Sequence, residues 1–392
     1  MSRIVFLSRK YCRGEAWCNR LLAYANGFKK YGVDVKLVFL ITDSSDNSQL
    51  EDFNGLDVLF LSNVGKVSEK VKKAWYYLRS LIGIGSVLKK EDVIITTDGG
   101  GLFLLFLHLF FGKHFLFSEI TEHPLIFGAP KGDDGLMKRL KMSCHRLHVK
   151  LNNQLLRNNA GVFTITNSLR DYYLTQGIGS HKICVINMFV DVKRFELPET
   201  ECEHYIAYCG TLSIEKDGLD VLLKSFAIFH REYPTYSLHL IGPYMNQRTE
   251  IVITETIGKL GIKEYVRLVG KVSPAEMPKH LKNARILALS RPDNLQNRNG
   301  FPTKLGEYLA TGRPVVVTSI GEIPVYIHDG VNGFLAEPSS IDSFAEKLKS
   351  AAHDYEKSLL VGKRGKELAY NEFSSEIQTK KALDFINVSI NK

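Results

Sequence analysis

The sequence has no long hydrophobic run. Its most apolar stretch, Gly101–Phe111, has about eleven residues, well short of the roughly 20 that a membrane-spanning helix needs. The apolar run Ile4–Leu7 near the N-terminus is also too short for a signal peptide. We therefore expect neither a spanning helix nor a leader, and we predict that Gly101–Phe111 forms a buried helix between two strands.

Cysteine is scarce and scattered. The chain has 6 cysteines, with no C-x-x-C pair and no cluster of cysteine and histidine at metal-binding spacing. This pattern predicts reduced thiols in a cytoplasmic protein, without a disulfide framework or a metal site. The residues are Cys12, Cys18, Cys144, Cys184, Cys202 and Cys209.

Several nucleotide-binding and nucleic-acid-binding signatures are missing. The chain contains no G-x-x-x-x-G-K-[ST] loop, and no G-x-G-x-x-G follows the first predicted strand. RNP, KH and zinc-finger patterns are also missing, and the basic half has no ladder of stacking aromatic residues. These absences argue against a P-loop protein, a dinucleotide-binding domain and a nucleic-acid-binding protein.

Positive charge is concentrated in one half of the chain. The net charge is +9, and residues 1–195 contain 27 Lys and Arg against 17 Asp and Glu, whereas residues 196–392 contain 24 against 25. An anionic membrane surface and nucleic acid are both candidate partners for the first half, and a solubilising surface is the alternative. The basic segment Met137–Asn158 predicts an amphipathic helix that either lies on such a membrane or packs on its own domain.

Strand and helix patterns alternate along most of the 392 residues, which favours two domains. The first series begins at the strand Ile4–Ser8, and the second begins at Tyr205–Cys209 after a linker over Asn187–Glu203. Alternation of this kind predicts parallel sheets covered by helices. The predicted fold class is α/β, with two doubly wound, Rossmann-like domains that face a cleft, divided between residues 195 and 196.

The stretch Asn297–Gly333 is the most informative. It predicts a glycine-containing loop, a helix of about three turns with Pro302 in its first turn, the buried strand Val315–Val317, and a second loop that opens a second helix. Both helix starts are natural seats for phosphate. Glu307, one turn into the first helix, has no role in such a seat, because an acid cannot bind phosphate.

Two other stretches place polar groups after predicted strands. In Tyr208–Asp220 a strand ends at Gly210, a polar loop carries Lys216, and a helix begins near Gly218, so that the lysine could reach a phosphate at a nearby helix start. The segment Glu119–Pro124 follows another strand, where ligand and catalytic groups concentrate in open α/β sheets.

These residues resemble the retaining glycosyltransferases of family 4, also called glycosyl transferases group 1, which have the GT-B fold. The resemblance covers nearly the whole chain and is most specific over Gly210–Phe226 and Gly300–Gly333. It implies that the C-terminal domain, residues 196–373, binds a nucleotide-sugar and that residues 1–195 bind the acceptor. It also implies that the terminal helix, residues 374–392, crosses back to the first domain, and that the reaction needs no metal or other cofactor.

The resemblance assigns residues to the donor diphosphate. Lys216 matches the diphosphate-binding lysine of the family, and Thr211 stands where many members have arginine. We expect Lys304 to replace that missing charge. Further donor-binding positions implied by the family motifs are Gly14, in the loop after the first strand, and Gly300, Phe301 and Pro302 at the start of the helix.

The resemblance also assigns the sugar and acceptor contacts. Glu307 matches the second acid of an E-x7-E motif and is expected to accept hydrogen bonds from the ribose hydroxyls. Asn299 occupies the position of the first acid, which contacts the transferred sugar, and it is a catalytic candidate for that reason. Many members carry D-x-H-[DE] where this chain has Glu119–Pro124, with Thr121 at the histidine position, so Glu122 and His123 are the catalytic candidates.

The implied reaction transfers a sugar, with retention of configuration, from a nucleotide-diphosphate sugar to a hydroxyl of a carbohydrate or lipid-linked acceptor. Cell-surface polysaccharide, lipopolysaccharide or glycolipid synthesis is the expected setting, in the cytoplasm or peripherally on the inner face of the membrane. A nucleotide-sugar epimerase of related fold and a basic nucleic-acid-binding protein are the alternatives.

Overall fold

A computed structural model describes residues 3–11, 16–42, 53, 55–63, 70–97, 101–112, 114–128, 136–198 and 202–391. The chain forms two compact units. The first unit comprises Met1–Asn187 and Ser375–Lys392, and the second unit comprises Met188–Ser374. The division therefore falls earlier in the chain than the predicted boundary between residues 195 and 196.

Backbone pairing explains why the segment after Asn187 belongs to the second unit. The N–H of Val190 donates to the carbonyl oxygen of Phe373 at 2.9 Å. The 3-10 turn Val192–Phe195 follows, and Phe195 is fully buried. The sequence does not predict these contacts, because the segment has no strand or helix periodicity.

The first unit contains a seven-stranded sheet in the order β3-β2-β1-β4-β5-β6-β7. Its strands are β1 (Ile4–Lys10), β2 (Val35–Thr42), β3 (Asp57–Asn63), β4 (Val93–Thr96), β5 (Phe115–Ile120), β6 (Gly161–Thr164) and β7 (Ile183–Val185). Its helices are α1 (Ala16–Lys30), α2 (Lys70–Ile84), α3 (Gly101–Phe111), α4 (Leu136–Leu156) and α5 (Asn167–Thr175), together with the terminal α15 (Ser375–Ile390).

The second unit contains a six-stranded sheet in the order β10-β9-β8-β11-β12-β13. Its strands are β8 (Glu203–Cys209), β9 (Ser237–Ile241), β10 (Val266–Gly270), β11 (Ala284–Leu289), β12 (Val315–Thr318) and β13 (Phe334–Ala336). Its helices are α6 (Ile214–Asp217), α7 (Leu219–Glu232), α8 (Gln247–Leu260), α9 (Met277–Asn283), α10 (Leu295–Asn299), α11 (Thr303–Ala310), α12 (Ile323–Tyr326), α13 (Ile341–His353) and α14 (Tyr355–Leu368).

The central strands show why the sequence forms these sheets. Strands β4 (V-I-I-T) and β12 (V-V-V-T) consist of β-branched residues that are all buried, as expected where helices cover both faces of a sheet. Every named pair of neighbouring strands is parallel, including β1 with β4 and β11 with β12. The predicted α/β class with two doubly wound, parallel, Rossmann-like sheets is confirmed.

Helix α15 returns to the first unit, where it packs closely on α1. A β-carbon on Gly27 of α1 would lie 2.1 Å from the hydroxyl oxygen of Thr379 on α15, so only glycine permits this approach. The ring of Phe385 lies edge-on to Phe163 of β6, with ring centroids 5.6 Å apart. The end of the chain therefore completes the core of the first unit.

The prediction that α3 is buried was only partly right. The helix has the predicted bounds, and Phe103, Leu104 and Leu107 are buried. However, Leu102 is 73% exposed and Phe110 is 69% exposed. A helix that is apolar on every side gives no signal for which side faces the core. None of the helices in the described ranges is both long enough and apolar enough to cross a membrane.

The junction of α6 and α7 depends on Gly218, which has φ +63. A β-carbon there would lie 2.1 Å from the carbonyl oxygen of Ser290, whereas Gly261 has φ +68 and no atom within 4 Å of such a β-carbon. Both Gly→Ala substitutions force alanine into the left-handed region, at roughly 1–2 kcal/mol. We expect Gly218→Ala to lower the free energy of unfolding by at least about 2 kcal/mol more than Gly261→Ala, because overpacking adds its own penalty.

Urea unfolding followed by far-ultraviolet circular dichroism measures this difference. Equal midpoints for the Gly218→Ala and Gly261→Ala variants would show that the backbone near Ser290 can move away without penalty.

Candidate functional site

The site of the second unit lies where the strand order of its sheet reverses. Strands β8 and β11 are neighbours and run parallel, although the chain visits β9 and β10 between them. Their carboxyl ends therefore form the edge where open α/β sheets bind ligands. Gly210 follows β8 at this edge, and Ser290 and Arg291 follow β11.

Two glycines bring the backbones after β8 and β9 together. Gly210 has φ +143 and Gly242 has φ +135, a region that other residues rarely adopt. A β-carbon on Gly242 would lie 2.1 Å from the carbonyl oxygen of Gly210. A β-carbon on Gly210 would in turn lie 2.7 Å from Nζ of Lys304. Because neither glycine has a β-carbon, this edge of the sheet has space for the backbone of Gly210 and for the side chain of Lys304.

Lys216 lies in helix α6 and not in the predicted polar loop. Ser213 caps this single turn, since its Oγ accepts a hydrogen bond from the backbone N–H of Lys216 at 3.0 Å. A four-residue helix shows no periodicity, which explains why the sequence did not reveal it. The turn leaves Lys216 half-buried and Asp217 buried, while Thr211, before the helix, is exposed.

Asp217 and Lys304 form an ion pair beneath this edge. Nζ of Lys304 donates to Oδ2 of Asp217 at 2.8 Å and to the hydroxyl oxygen of Tyr208 at 2.8 Å. Nε of Arg291 lies 3.8 Å from Oδ1 of Asp217. Burial alone would raise the pKa of Asp217, but Lys304 and Arg291 outweigh it and hold that pKa below its ordinary value.

Lys304 is thus already neutralised by a carboxylate. Burial lowers its pKa, Asp217 opposes this change, and Arg291 and Lys216 reinforce it. The positive charges of Arg291 and Lys216 thus act on the ammonium group of Lys304. The role of Lys304 as the substitute for a missing arginine stays a prediction.

The segment before α11 has the predicted glycine and proline but a different helix start. Helix α11 begins at Thr303, and Pro302 is its N-cap residue instead of lying in the first turn. Phe301 is buried, and its ring stacks on Tyr326 with centroids 5.5 Å apart. A β-carbon on Gly300 would lie 2.9 Å from the carbonyl oxygen of Gln296. The Phe301 side chain therefore anchors the segment, which leaves its backbone as the part that could meet a ligand.

Asn299 ends helix α10, within the region predicted to be a loop. The amide Nδ2 of Asn299 donates to the carbonyl oxygen of Leu295 at 2.9 Å. Asn297 in the same helix is completely buried, and its Nδ2 donates to the carbonyl oxygens of Lys216 at 3.0 Å and Pro292 at 2.8 Å. Asn297 consequently fixes the position of the α6 turn that contains Lys216.

Glu307 pairs with a residue that the sequence did not suggest. Nη1 of Arg194 donates to Oε1 of Glu307 at 3.3 Å, and the two side chains are 34% and 28% exposed. Burial raises the pKa of Glu307 above its ordinary value, although Arg194 and Lys304 act in the opposite direction. Glu307 therefore combines a partly open carboxylate with a cation that orients it.

The second predicted helix start is much smaller than expected. Helix α12 is a single turn, Ile323–Tyr326, which contributes little summed dipole. Gly321 precedes it with φ +58, and a β-carbon there would lie 2.5 Å from the carbonyl oxygen of Asn297. The interpretation of this second helix start as a phosphate seat is therefore weakened.

The candidates of the first unit lie after β5. The imidazole of His123 is buried against Tyr172, with ring centroids 4.5 Å apart, and its Nδ1 accepts a hydrogen bond from the N–H of Leu125 at 3.3 Å. Burial lowers the pKa of His123. The neutral imidazole then carries its proton on Nε2 and can donate from it. Glu122 is half-buried beside His123, and the predicted residue Gly14 lies outside the described residues.

Four residues of the second-unit site were not predicted from the sequence. Arg291 could have been found, because it directly follows a buried strand, as ligand-binding residues often do in such sheets. Asp217 is adjacent to Lys216, but only the α6 turn shows that it faces inward. The Arg194 and Asn297 positions carry no signal in the sequence. Within the described ranges, no group of three or more His, Cys, Asp or Glu side chains is arranged to hold a metal ion.

Comparisons with known proteins give a family match over most of the second unit. Residues 189–368 match the family model described as "Glycosyl transferases group 1". The chain is 26% identical to a D-inositol 3-phosphate glycosyltransferase of Corynebacterium kroppenstedtii over 168 aligned residues. This alignment covers 42% of this chain and 36% of the relative. It is 26% identical to the amylovoran biosynthesis glycosyltransferase AmsK of Erwinia amylovora over 207 aligned residues. This alignment covers 51% of this chain and 49% of AmsK. The chain thus spans less than half the length of these relatives.

Solved structures share the architecture over the whole chain. Anabaena Alr3699/HepE in complex with UDP superimposes with a TM-score of 0.78 at 14% identity, covering 98% of this chain and 100% of that one. Sucrose-phosphate synthase of Thermosynechococcus elongatus gives a TM-score of 0.76 at 14% identity, with 100% of both chains covered. The fold is GT-B, and residues 189–368 are similar to the glycosyl transferases group 1.

Proposed function

We propose that this chain is a retaining glycosyltransferase of family 4 that moves a sugar from a nucleoside-diphosphate sugar to a hydroxyl acceptor. One observation supports this function most directly. Cationic side chains and the partly open carboxylate of Glu307 lie at the carboxyl edge of β8 and β11, within the segment that matches the family. A nucleoside diphosphate presents the complementary groups, namely phosphate oxygens and vicinal ribose hydroxyls.

Each part of the donor has a candidate partner in this arrangement. Lys216 and the backbone of Gly300–Pro302 would bind the diphosphate, with Thr211 as a hydroxyl donor. Lys304 and Arg291 share the single carboxylate of Asp217, so a net positive charge remains beneath the diphosphate. Asn299 would hydrogen-bond the transferred sugar. Because these cations can neutralise the leaving diphosphate, we expect the reaction to proceed in the presence of a metal chelator.

The base of the donor is proposed by analogy with a structural neighbour. Anabaena Alr3699/HepE has been crystallised with UDP and with UDP-glucose. UDP is therefore the first probe to use. The acceptor is proposed to be a carbohydrate or lipid-linked hydroxyl in cell-surface polysaccharide synthesis, a setting supported by the similarity to AmsK. Glu122 and His123 of the first unit are the proposed acceptor-side residues, and a peripheral membrane position is supported by the basic charge of residues 1–195.

In the proposed reaction, the acceptor hydroxyl attacks the anomeric carbon on the face from which the nucleoside diphosphate leaves. The bond to the phosphate oxygen breaks through an oxocarbenium-like state, and the proton of the hydroxyl passes to the departing phosphate. The protein supplies positioning and electrostatic stabilisation of the leaving group, so it needs no nucleophile of its own.

The two lysines of the site are expected to differ when each is removed. Lys216→Ala should weaken UDP binding roughly 10-fold to 100-fold without loss of stability, because one charge-assisted hydrogen bond contributes about 1.5–3 kcal/mol. Lys304→Ala should weaken UDP binding and also destabilise the unit, since it leaves Asp217 without its closest cation. Calorimetric titration with UDP and thermal melting measure the two effects, and Lys224→Ala on α7 is the matched control.

Product analysis tests the reaction itself. The protein should release UDP from a UDP-sugar only when an acceptor is present, and the new glycosidic bond should keep the configuration of the donor. Formation of an epimeric UDP-sugar without any acceptor would contradict the transferase and support an epimerase instead.

A further inference from the structure

Helices α2, α3 and α4 form one layer on one face of the first sheet. Ile84 of α2 and Phe103 and Leu107 of α3 are buried in the same cluster with Val5 and Leu7 of β1. Helix α3 meets α4 next, since the N–H of Gly101 donates to Nε2 of His148 at 3.3 Å. The outer sides of these three helices therefore belong to a single surface.

Each of the three helices carries large apolar side chains on that outer side. Their spacings of three, four, seven and eight residues place them on one side of each helix. The outer apolar face consists of Trp75 (67% exposed), Leu78 (56%) and Ile82 (82%) on α2, Leu102 (73%), Leu109 (70%) and Phe110 (69%) on α3, and Leu140 (57%) and Leu147 (69%) on α4. Soluble domains rarely expose so many large apolar residues in one region.

The same helices contain no acidic residue at all. Within their ranges there is no Asp or Glu, whereas Lys and Arg recur along α2 and α4. The basic residues are Lys70, Lys72, Lys73, Arg79, Lys138, Arg139, Lys141, Arg146 and Lys150. Arg79 and the four residues Arg139, Lys141, Arg146 and Lys150 are exposed. An exposed apolar face bordered by cations, on helices that contain no acidic residue, is the pattern of helices that lie in a membrane interface.

We propose that the outer apolar face of α2, α3 and α4 docks on an anionic lipid surface. This inference extends the peripheral membrane position by naming the surface that makes the contact. The apolar side chains would enter the boundary between headgroups and acyl chains. This boundary suits Trp75, whose indole ring is apolar but carries a polar N–H. Arg139, Arg146 and Lys150 would extend their aliphatic stems along it and pair with lipid phosphates.

Charge argues against a second copy of the chain as the occupant. A two-fold dimer would place the outer apolar face of one copy against the same face of the other copy. The cations of α2 and α4 would then meet an identical set with no carboxylate from the three helices to oppose them, which is unfavourable. Nucleic acid would accept the cations but gains little from exposed leucine and isoleucine side chains.

The experiment uses the full-length protein and vesicles of neutral phosphatidylcholine, with or without 30% phosphatidylglycerol (about one lipid in three, enough for a strong surface potential). The chain has 2 tryptophans, Trp17 and Trp75. The variant Trp17→Phe leaves Trp75 as the only tryptophan, whose fluorescence is excited selectively at the red edge of the absorption band, where tyrosine does not absorb. We expect its emission to shift to shorter wavelength with the anionic vesicles, and lipids with brominated acyl chains should quench it. The protein should also sediment with these vesicles and remain in the supernatant with the neutral ones.

Two sets of variants separate the apolar and the charged contributions. Ile82→Gln and Leu147→Gln together should lower the partition coefficient at least about tenfold, because burial of each large apolar side chain contributes roughly that factor. Arg139→Gln, Arg146→Gln and Lys150→Gln together should lower it about fivefold per charge removed. The controls are Val325→Gln with Leu360→Gln for the apolar set, and Lys263→Gln, Lys271→Gln and Lys363→Gln for the charged set, all exposed residues of the second unit.

Several outcomes would overturn the inference. These are full recovery in the supernatant with anionic vesicles, binding that the controls weaken as much as the test variants, and a dimer that only the Ile82→Gln and Leu147→Gln variant abolishes. Salt-sensitive binding to an oligonucleotide without binding to vesicles would assign the surface to nucleic acid. No sugar donor is needed, so failure here and failure of the proposed transferase activity are distinguishable.

Discussion

Replacing Asp217 with asparagine should destabilise the second unit by about 3–4 kcal/mol, the loss typical when one partner of a buried ion pair is removed. Asp217 is buried, and it accepts hydrogen bonds from Nζ of Lys304 and from the hydroxyl of Tyr208, each at 2.8 Å. The amide can still accept the bond from Tyr208, but it carries no charge to offset Lys304 and Arg291. Asp217→Asn therefore leaves buried positive charge uncompensated.

The matched control is Asp293→Asn. Asp293 forms an ion pair with Arg298, but their side chains are 43% and 62% exposed. Exposed pairs of this kind contribute at most about 1 kcal/mol. Both tryptophans lie in the first unit, so hydrogen exchange of peptides from β8 and α7 is the measurement that reports on the second unit. If the two variants lose protection equally, the Asp217 pair contributes no more than a surface pair.

The effect of Asp217 also has a defined pH dependence. Lys304 and Arg291 hold the pKa of its carboxyl below the ordinary value despite burial. A carboxyl with a depressed pKa contributes stability above its unfolded-state pKa, roughly 3.9, and this contribution is lost as the pH falls through the folded-state pKa. The difference between wild type and Asp217→Asn should therefore stay constant from neutral pH down to about 5 and shrink only in stronger acid.

Glu307→Ala should weaken the binding of UDP about 100-fold, if the carboxylate accepts hydrogen bonds from both ribose hydroxyls. Hydrogen bonds to a charged acceptor contribute about 1.5–3 kcal/mol, and about 2.8 kcal/mol corresponds to 100-fold in the dissociation constant. Calorimetric titration measures the change. Glu367→Ala, an exposed glutamate of α14, is the control and should bind UDP as the wild type does.

The identity of the contacted group follows from a second ligand. A UDP analogue without the 2′- and 3′-hydroxyls should bind the wild type and Glu307→Ala with equal affinity, because the lost contact is already missing. If Glu307→Ala weakens this analogue as strongly as UDP, the carboxylate does not act through the ribose. Binding of UDP should also decline as the pH falls through the raised pKa of Glu307, since the protonated acid is a poorer acceptor.

Elements with long periodic patterns were predictable from the sequence. The sequence predicts a helix at about Ile341–His353, where α13 lies, and the β-branched run at Val315–Val317 lies in β12 as expected. The sequence placed Lys216 and Glu307 in one domain through family motifs at two separate stretches. What it could not give was the single turn α6, whose four residues are too few to show a period.

The contacts around the predicted site residues were also beyond the sequence. Arg194 is more than 100 positions from Glu307, and only the return of the chain through the 3-10 turn Val192–Phe195 brings them together. Asp217 neighbours Lys216 in the chain, yet their environments differ because consecutive helix residues point in different directions. Such pairings depend on tertiary structure, which local patterns do not encode.

The position of α15 affects the order in which the chain can fold during synthesis. The second unit is continuous in sequence and can be complete once residue 374 has emerged from the ribosome. The first unit emerges earlier but lacks the helix that packs on Gly27 and places Phe385 against β6. Domains usually fold in the order of synthesis. Here the unit that is synthesised first reaches its final packing last, and until then the surfaces of α1 and β6 that α15 covers stay exposed to chaperones and to misassembly.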